Sequence, residues 1–222
     1  RPGSTSTDLL HGIRLTLAPG VPAPAARAAG LPAPSPDVSL DREAAATLTS
    51  VLSDVATALA FLHSIGVVHA DVKGANIVVN VLQAGGPGLL GEVVGSPVEA
   101  RLVDFGTAFV LPAPGVAGSQ EPVGTPGWMA PELSDVSDDG TCTVTPGLDH
   151  WSLGATAWEL TVGAPPFGTG LAAIYAAADA DAVAALHTNH PFGKDTGDLP
   201  QHVLALLAFA PADRVPFPLL DE

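Results

Sequence analysis

Apolar residues along this chain change period several times, and each change marks an element. Leu48, Val51, Leu52, Val55, Leu59 and Leu62 fall at i, i+3, i+4, i+7, i+11 and i+14, the spacing of one helix face. The pattern predicts a helix opened by Asp41 as N-cap and stopped at Gly66. Val67-Val68 then reads as a short strand that delivers a polar loop over 69–76. Segments 77–82 and 99–103 read as the two strands of a hairpin. Helical patterns return between proline and glycine breaks over 149–162, 171–186 and, after Pro200, 201–209. A shorter helix is expected at 8–17. The fold class expected is mostly α within an α+β frame, a helical lobe with short hairpins.

Two stretches break the pattern. Residues 18–36 are a Pro/Ala tract that cannot hold a regular helix, because proline removes backbone donors. Residues 83–97 are glycine-rich and interrupt the hairpin. Both read as insertions.

Composition narrows the class. The 222 residues suffice for one sizeable core, and 47% of them are hydrophobic. No apolar run approaches the length of a membrane span, so none is expected. The single cysteine, Cys142, lies in what reads as an acidic loop; it excludes an internal disulfide and suits a reducing, cytoplasmic setting. With 23 acidic against 8 basic residues the net charge is −15. Phosphate backbones bind through clustered Lys and Arg, so nucleic acid is not an expected partner. The first residues hold neither an initiator methionine nor a secretory apolar core, and the chain reads as a piece of something longer.

The chemistry is concentrated in His69-Ala70-Asp71-Val72-Lys73-Gly74-Ala75-Asn76 and in Asp104-Phe105-Gly106. Together they supply carboxylates, an ammonium and an amide. Moving a phosphoryl group from a magnesium nucleotide to a hydroxyl needs that set: a base for the proton, oxygen ligands for the metal, and a cation near the phosphate. Four further stretches follow in order: Gly124-Thr125-Pro126-Gly127-Trp128-Met129-Ala130-Pro131-Glu132, Asp149-His150-Trp151-Ser152-Leu153-Gly154, the helix exit through Gly163 and Pro165-Pro166, and Pro211-Ala212-Asp213-Arg214. In this order they resemble the eukaryotic protein kinase family, specifically its C-terminal lobe. Lys73 two residues after Asp71, with Gly124 and Thr125, resembles the Ser/Thr-directed members. The wording around Gly74-Ala75-Asn76 and Gly127-Trp128-Met129 resembles the tyrosine-kinase-like and MAP-kinase-kinase-kinase branches.

The resemblance implies ATP and Mg²⁺ as cofactors and a protein substrate, and the roles below are carried over from the family. Asp71 is expected as catalytic base or orienting carboxylate, and Lys73 as the cation offsetting charge on the transferred group. Asn76 and Asp104 are expected to ligate magnesium, and Thr125 to bond the Asp71/Lys73 pair and line the substrate channel. Gly106 is expected to free the backbone after Asp104, and Phe105 belongs with it as support. Asp149 is expected to accept from the backbone near His69, with His69 packed beneath the loop, and Glu132 to pair with Arg214.

Departures from the family pattern matter as much. The only lysines are Lys73 and Lys194, so the nucleotide-anchoring lysine of the family's β-rich N-terminal lobe has no counterpart here. That lobe is expected to come from a longer form, and residues 1–222 alone to be inactive. Gly86-Pro87-Gly88-Leu89-Leu90-Gly91-Glu92-Val93 matches the text of a nucleotide-covering loop. It stands in the wrong place, without a lysine strand after it, and reads as a hairpin tip. Ala70 stands where many members carry an arginine that grips a phosphorylated activation segment, and no Lys or Arg occurs between Asp104 and Glu132. Activation by phosphate at Thr107 or Ser119 is therefore not expected. His187 and His190 read as a solvated turn rather than a metal site, and Cys142 shows no sign of a reactive thiol. The competing classes are a non-catalytic pseudokinase scaffold and a small-molecule phosphotransferase; Gly124 to Glu132, Asp149 and Arg214 weigh against the latter.

Overall fold

The computed structural model describes residues 42–82, 97–190, 192 and 196–218. The expected helix at 8–17, the Asp41 cap, the 18–36 tract, the Gly86–Val93 motif and all of the 83–97 insertion but Pro97 lie outside the described residues. In chain order the elements are α1 (Arg42–Ser64), β1 (Val67–Val68), a 3-10 turn (Gly74–Asn76), β2 (Ile77–Val81), β3 (Val98–Leu102), β4 (Phe109–Val110), β5 (Gly118–Gln120), a 3-10 turn (Pro131–Ser134), β6 (Cys142–Val144), α2 (Gly147–Val162), α3 (Leu171–Ala177), α4 (Ala180–Thr188), α5 (Leu199–Leu206) and a last 3-10 turn (Pro211–Asp213). Helices dominate, with three two-stranded antiparallel ladders, β1–β4, β2–β3 and β5–β6.

The heptad-like stripe of α1 does what its spacing implies. Leu48, Val51, Leu52 and Val55 are fully buried, and the helix packs on β3, β1 and α2. By length and apolarity α1 could cross a membrane; here its apolar stripe forms the core of the lobe. Helix α2 is buried nearly all round, including Trp151 and Trp158, which places it at the centre. Its Gly154 permits the closest approach: a Cβ there would meet Leu206 and Leu207 of the α5 end at 2.9 Å. Gly163, left-handed at φ 84°, stops α2, its N–H bonding Glu159 O at 2.7 Å.

Three expectations need correction. The single helix expected over 171–186 is two, because the Asp179 carboxylate accepts from the N–H groups of Asp181 and Ala182 and so caps a new helix, α4. Helix α5 starts earlier than expected, with Pro200 inside its first turn, where the missing N–H costs no helical bond. It ends at Leu206 instead of Phe209, and the carbonyls of Ala208 and Phe209 beyond it accept from Arg214. Cys142 sits in strand β6, not in a loop, and is buried, with its thiol donating to Gln120 O at 3.3 Å. Burial, then the nearby Glu132, pushes that thiol up from its ordinary value.

Behind α2, His150 borders an apolar cavity of about 340 Å³ shared with Leu59, Leu153 and Phe217. Burial, aided by the neighbouring His63, holds His150 down at about 4, against an ordinary 6.5. The folded state therefore binds fewer protons than the unfolded chain between those values. The His150 contribution is complete above pH 6.5 and is lost as pH falls towards about 4. After allowance for its partial exposure, the unfolding free energy is expected to fall by up to about 1 kcal/mol per pH unit in that window. Urea titrations at several pH values check this against His150→Gln, which should flatten the dependence; identical slopes would refute it.

Candidate active site

The polar loop between β1 and β2 is held from below by one carboxylate. Asp149, fully buried on α2, accepts from His69 N at 2.9 Å, from Ala70 N at 2.8 Å and from His63 Nε2 at 2.8 Å. A buried carboxylate is tolerated when its oxygens are met in this way. The two backbone bonds also fix Ala70 at φ 64°, a left-handed conformation that costs a non-glycine residue about 1–3 kcal/mol. His69 is buried as well. Its Nε2 lies 3.1 Å from Val103 O, and its Nδ1 accepts from Asp71 N at 3.3 Å. A carbonyl can only accept, so the ring proton sits on Nε2. The ring edge meets Phe105 at 5.0 Å, and Thr107 Oγ1 donates to His69 O at 3.1 Å.

Above this floor four side chains converge. Lys73 Nζ donates to Asp71 Oδ2 at 2.6 Å and to Thr125 Oγ1 at 2.7 Å. Thr125 Oγ1 in turn donates to Asp71 Oδ1 at 2.6 Å. Asn76 Nδ2 donates to Asp71 Oδ2 at 3.0 Å and to Asp71 O at 2.8 Å. Both amide protons of Asn76 are thereby directed at Asp71, leaving Oδ1 as its outward acceptor. Gly124 makes room for the crossing segment: it has φ 126°, and a Cβ there would come within 2.9 Å of Ala70 O. A side chain at 124 would displace Thr125 from Asp71.

Asp104 shares no hydrogen bond with that cluster among the described residues, and the ladder leads the chain to it from the cluster's edge. Leu102 pairs with Ile77, and Val103 N donates to Asn76 O at 2.9 Å. Asp104 is exposed, and its Oδ1 accepts from Gly106 N at 3.2 Å. The left-handed residue is Asp104 itself, at φ 64°, not Gly106; a Cβ on Gly106 would lie 3.2 Å from Asp104 Oδ1. Two left-handed non-glycine residues thus flank the cluster, a form of local strain that collects at functional sites.

Glu132 and Arg214 lie outside the cluster and join activation segment to late helices. Arg214 NH1 and NH2 each reach one Glu132 oxygen at 2.7 Å. The residues that pattern reading missed are supports: His63 on Asp149, Thr107 on His69, Ser152 donating to Trp128 O at 2.8 Å and Thr156 to Val72 O at 3.3 Å. For His63, Ser152 and Thr156 the only signal was a single polar residue in an otherwise apolar helix; Thr107, in the turn after Asp104-Phe105, carried none.

The donor chemistry suits a hard cation. Asn76 Oδ1 and the Asp104 carboxylate are oxygen donors, and magnesium binds through one or two carboxylates while keeping waters and phosphate oxygens. No group of three or more His, Cys, Asp or Glu side chains able to hold a metal occurs among the described residues, so a closed protein cage is not what this site offers.

Comparison with known proteins agrees with the geometry. The protein kinase domain model matches residues 39–208. The Streptomyces coelicolor serine/threonine-protein kinase PkaA is 37% identical over 129 residues, 58% of this chain and 20% of that protein. Human serine/threonine-protein kinase MRCK gamma is 34% identical over 116 residues, 52% of this chain and 6% of that protein. MAP3K epsilon protein kinase 1 of Brassica napus is 37% identical over 120 residues, 54% of this chain and 8% of that protein. The matched region spans a fifth or less of the length of these relatives. With the family model covering most of its length and the Asp71 cluster assembled on a helical lobe, the chain belongs to the protein kinase domain family.

Proposed function

We propose that this chain supplies the magnesium- and substrate-binding half of a serine/threonine kinase that transfers the ATP γ-phosphoryl group to a protein hydroxyl. The observation that carries the reading is Asp71, a nearly buried carboxylate held in place by Lys73, Thr125 and Asn76. Such a carboxylate orients an incoming hydroxyl and takes its proton as the oxygen attacks phosphorus. Lys73, within 2.6 Å of Asp71, offsets negative charge gathering on the transferred group. Asn76 Oδ1 and the Asp104 carboxylate would hold Mg²⁺, which when bound with ATP supplies charge neutralisation at the phosphates. Thr125 links the activation segment to Asp71, so the substrate channel and the base are positioned together.

Residues 1–222 alone would transfer little phosphate. Lys73, the one lysine among the described residues, is committed to Asp71 and Thr125, and Lys194 lies late in the chain. The nucleotide-binding half would come from a longer form of the protein, in a reducing, cytoplasmic compartment. The same lysine count supports the second reading, a non-catalytic scaffold. Asp71-dependent transfer to a seryl peptide by the longest expressible form decides between them.

Regulation would not run through activation-segment phosphate. Ser119 donates to Thr141 Oγ1 at 2.7 Å, and Thr141 bonds Asp139 at 2.8 Å; the β5–β6 ladder already fixes this stretch. From Leu102 to Asp213 the sequence has Lys194 as its sole Lys or Arg, and Arg214 is buried and committed to Glu132, so a phosphate at 119 would stand near the Asp139 carboxylate. Phosphorylation at Ser119 is expected to leave the rate unchanged or lower it, as measured with stoichiometrically modified protein; strong activation would refute this.

A further inference from the structure

The activation segment is tied to the start of α2 by a ladder that lies apart from the Asp71 cluster. Strand β5 pairs with β6 in the register Gly118↔Val144, Ser119↔Thr143 and Gln120↔Cys142. Beyond β5 the chain runs on to Thr125, which donates to Asp71. Beyond β6 it runs on to Asp149, which holds the N–H groups of His69 and Ala70. The two strands thus join the two stretches that grip the 69–71 loop. Packing leaves little slack: a Cβ on Gly118 would lie 3.2 Å from Leu111 Cδ2 and 3.3 Å from Val144 Cγ2.

A chain of hydroxyls links the two strands on their exposed side. Ser119 Oγ donates to Thr141 Oγ1 at 2.7 Å, and Thr141 Oγ1 donates to Asp139 Oδ1 at 2.8 Å. The Thr141 N–H reaches the same oxygen at 3.0 Å. A tight turn fixes Thr141: Ser137 N donates to Thr141 O at 2.7 Å, and Gly140 is left-handed at φ 84°. Bonds from the Thr141 hydroxyl, then from its N–H, hold the Asp139 carboxyl below its ordinary value. Strands β5 and β6 have 3 residues each. A two-stranded ladder that short is marginal in water, so a link outside its register decides how often it opens.

We propose that Ser119, Thr141 and Asp139 are positioning residues that latch β5 onto β6 and so hold Thr125 where it meets Asp71. The latch does for this activation segment what a phosphate gripped by an arginine would otherwise do; Ala70 stands where that arginine is expected. The proposal rests on the kinase reading for the chemistry that the latch serves. Its opening and closing need no phosphate transfer.

Cys142 supplies the reporter. It is the only cysteine in the chain, is buried, and its thiol donates to Gln120 O across the ladder at 3.3 Å. A thiol-reactive aromatic disulfide therefore labels it at a rate set by how often the ladder opens. On residues 1–222, Ser119→Glu sets a carboxylate beside Asp139 and is expected to speed labelling about tenfold or more. Ser119→Thr keeps the hydroxyl and should label like wild type. Ser119→Lys faces Asp139 with opposite charge and should label no faster. Amide exchange over 121–130, read by mass spectrometry, should rise in Ser119→Glu alone, at an unchanged unfolding midpoint. None of these readouts depends on catalysis, so failure of the latch and failure of the kinase reading are told apart. Unchanged labelling in Ser119→Glu, faster labelling in all three variants, or faster labelling with unchanged exchange over 121–130 would overturn the proposal. So would a midpoint that falls in step with labelling, since the thiol would then be reached through global unfolding.

Discussion

Arg214→Ala is expected to lower the unfolding free energy by about 3–5 kcal/mol, the usual cost of removing one side of a buried ion pair. The guanidinium is buried and serves three segments at once. It meets both oxygens of Glu132 at 2.7 Å, Gly147 O at 2.8 Å, and Ala208 O and Phe209 O at 2.9 Å. It also lies 5.2 Å from the Trp151 ring. Truncation leaves a mostly buried Glu132 carboxylate without its counter-charge and strips three carbonyls of their donor. Since a domain is typically stable by only about 5–15 kcal/mol, this is a large fraction. Urea unfolding followed by the fluorescence of the three tryptophans reads the change. Arg214→Lys should fall in between, because an ammonium keeps the charge but cannot span both Glu132 oxygens and the carbonyls. A loss below about 1 kcal/mol for the alanine variant would mean that solvent screens the pair and the account of this joint is wrong.

What the sequence made legible follows from how local each signal is. The α1 stripe is a periodic pattern repeated over many turns, and its buried face follows it from Leu48 to Leu59, with Leu62 half-buried at the end. The convergence of Asp71, Lys73 and Asn76 was readable because all three sit within six positions of one loop. Thr125 and Asp149 were legible only through family resemblance, since each reaches Asp71 or Ala70 across more than fifty residues. Strands β4 and β5 escaped notice: Phe109–Val110 and Gly118–Gln120 are too short to alternate, and each is defined by its partner rather than by its own residues. Cys142 looked like a loop residue because acidic neighbours surround it in sequence, whereas pairing with Gln120 buries it. The break at Asp179 shows a local rule overridden by another: alanines favour a continuous helix, yet a carboxylate able to cap two N–H groups stops it.

Asp71→Asn is the second change with a large expected effect, and it bears on the centre of the account. Asparagine has nearly the same shape, and its amide oxygen can still accept from Thr125 or Lys73, so the lobe should keep its unfolding midpoint. What it loses is the charge that accepts a proton, an effect worth about 10²–10⁴-fold where such a group acts in catalysis. The decisive measurement is the initial rate of phosphate transfer from magnesium ATP to a seryl peptide, in the longest expressible form of the protein. The rate in Asp71→Asn should fall by about a hundredfold or more at unchanged stability. Transfer within a few-fold of wild type, or transfer lost only because the variant unfolds, would contradict the assignment of Asp71 as the group that receives the substrate's proton.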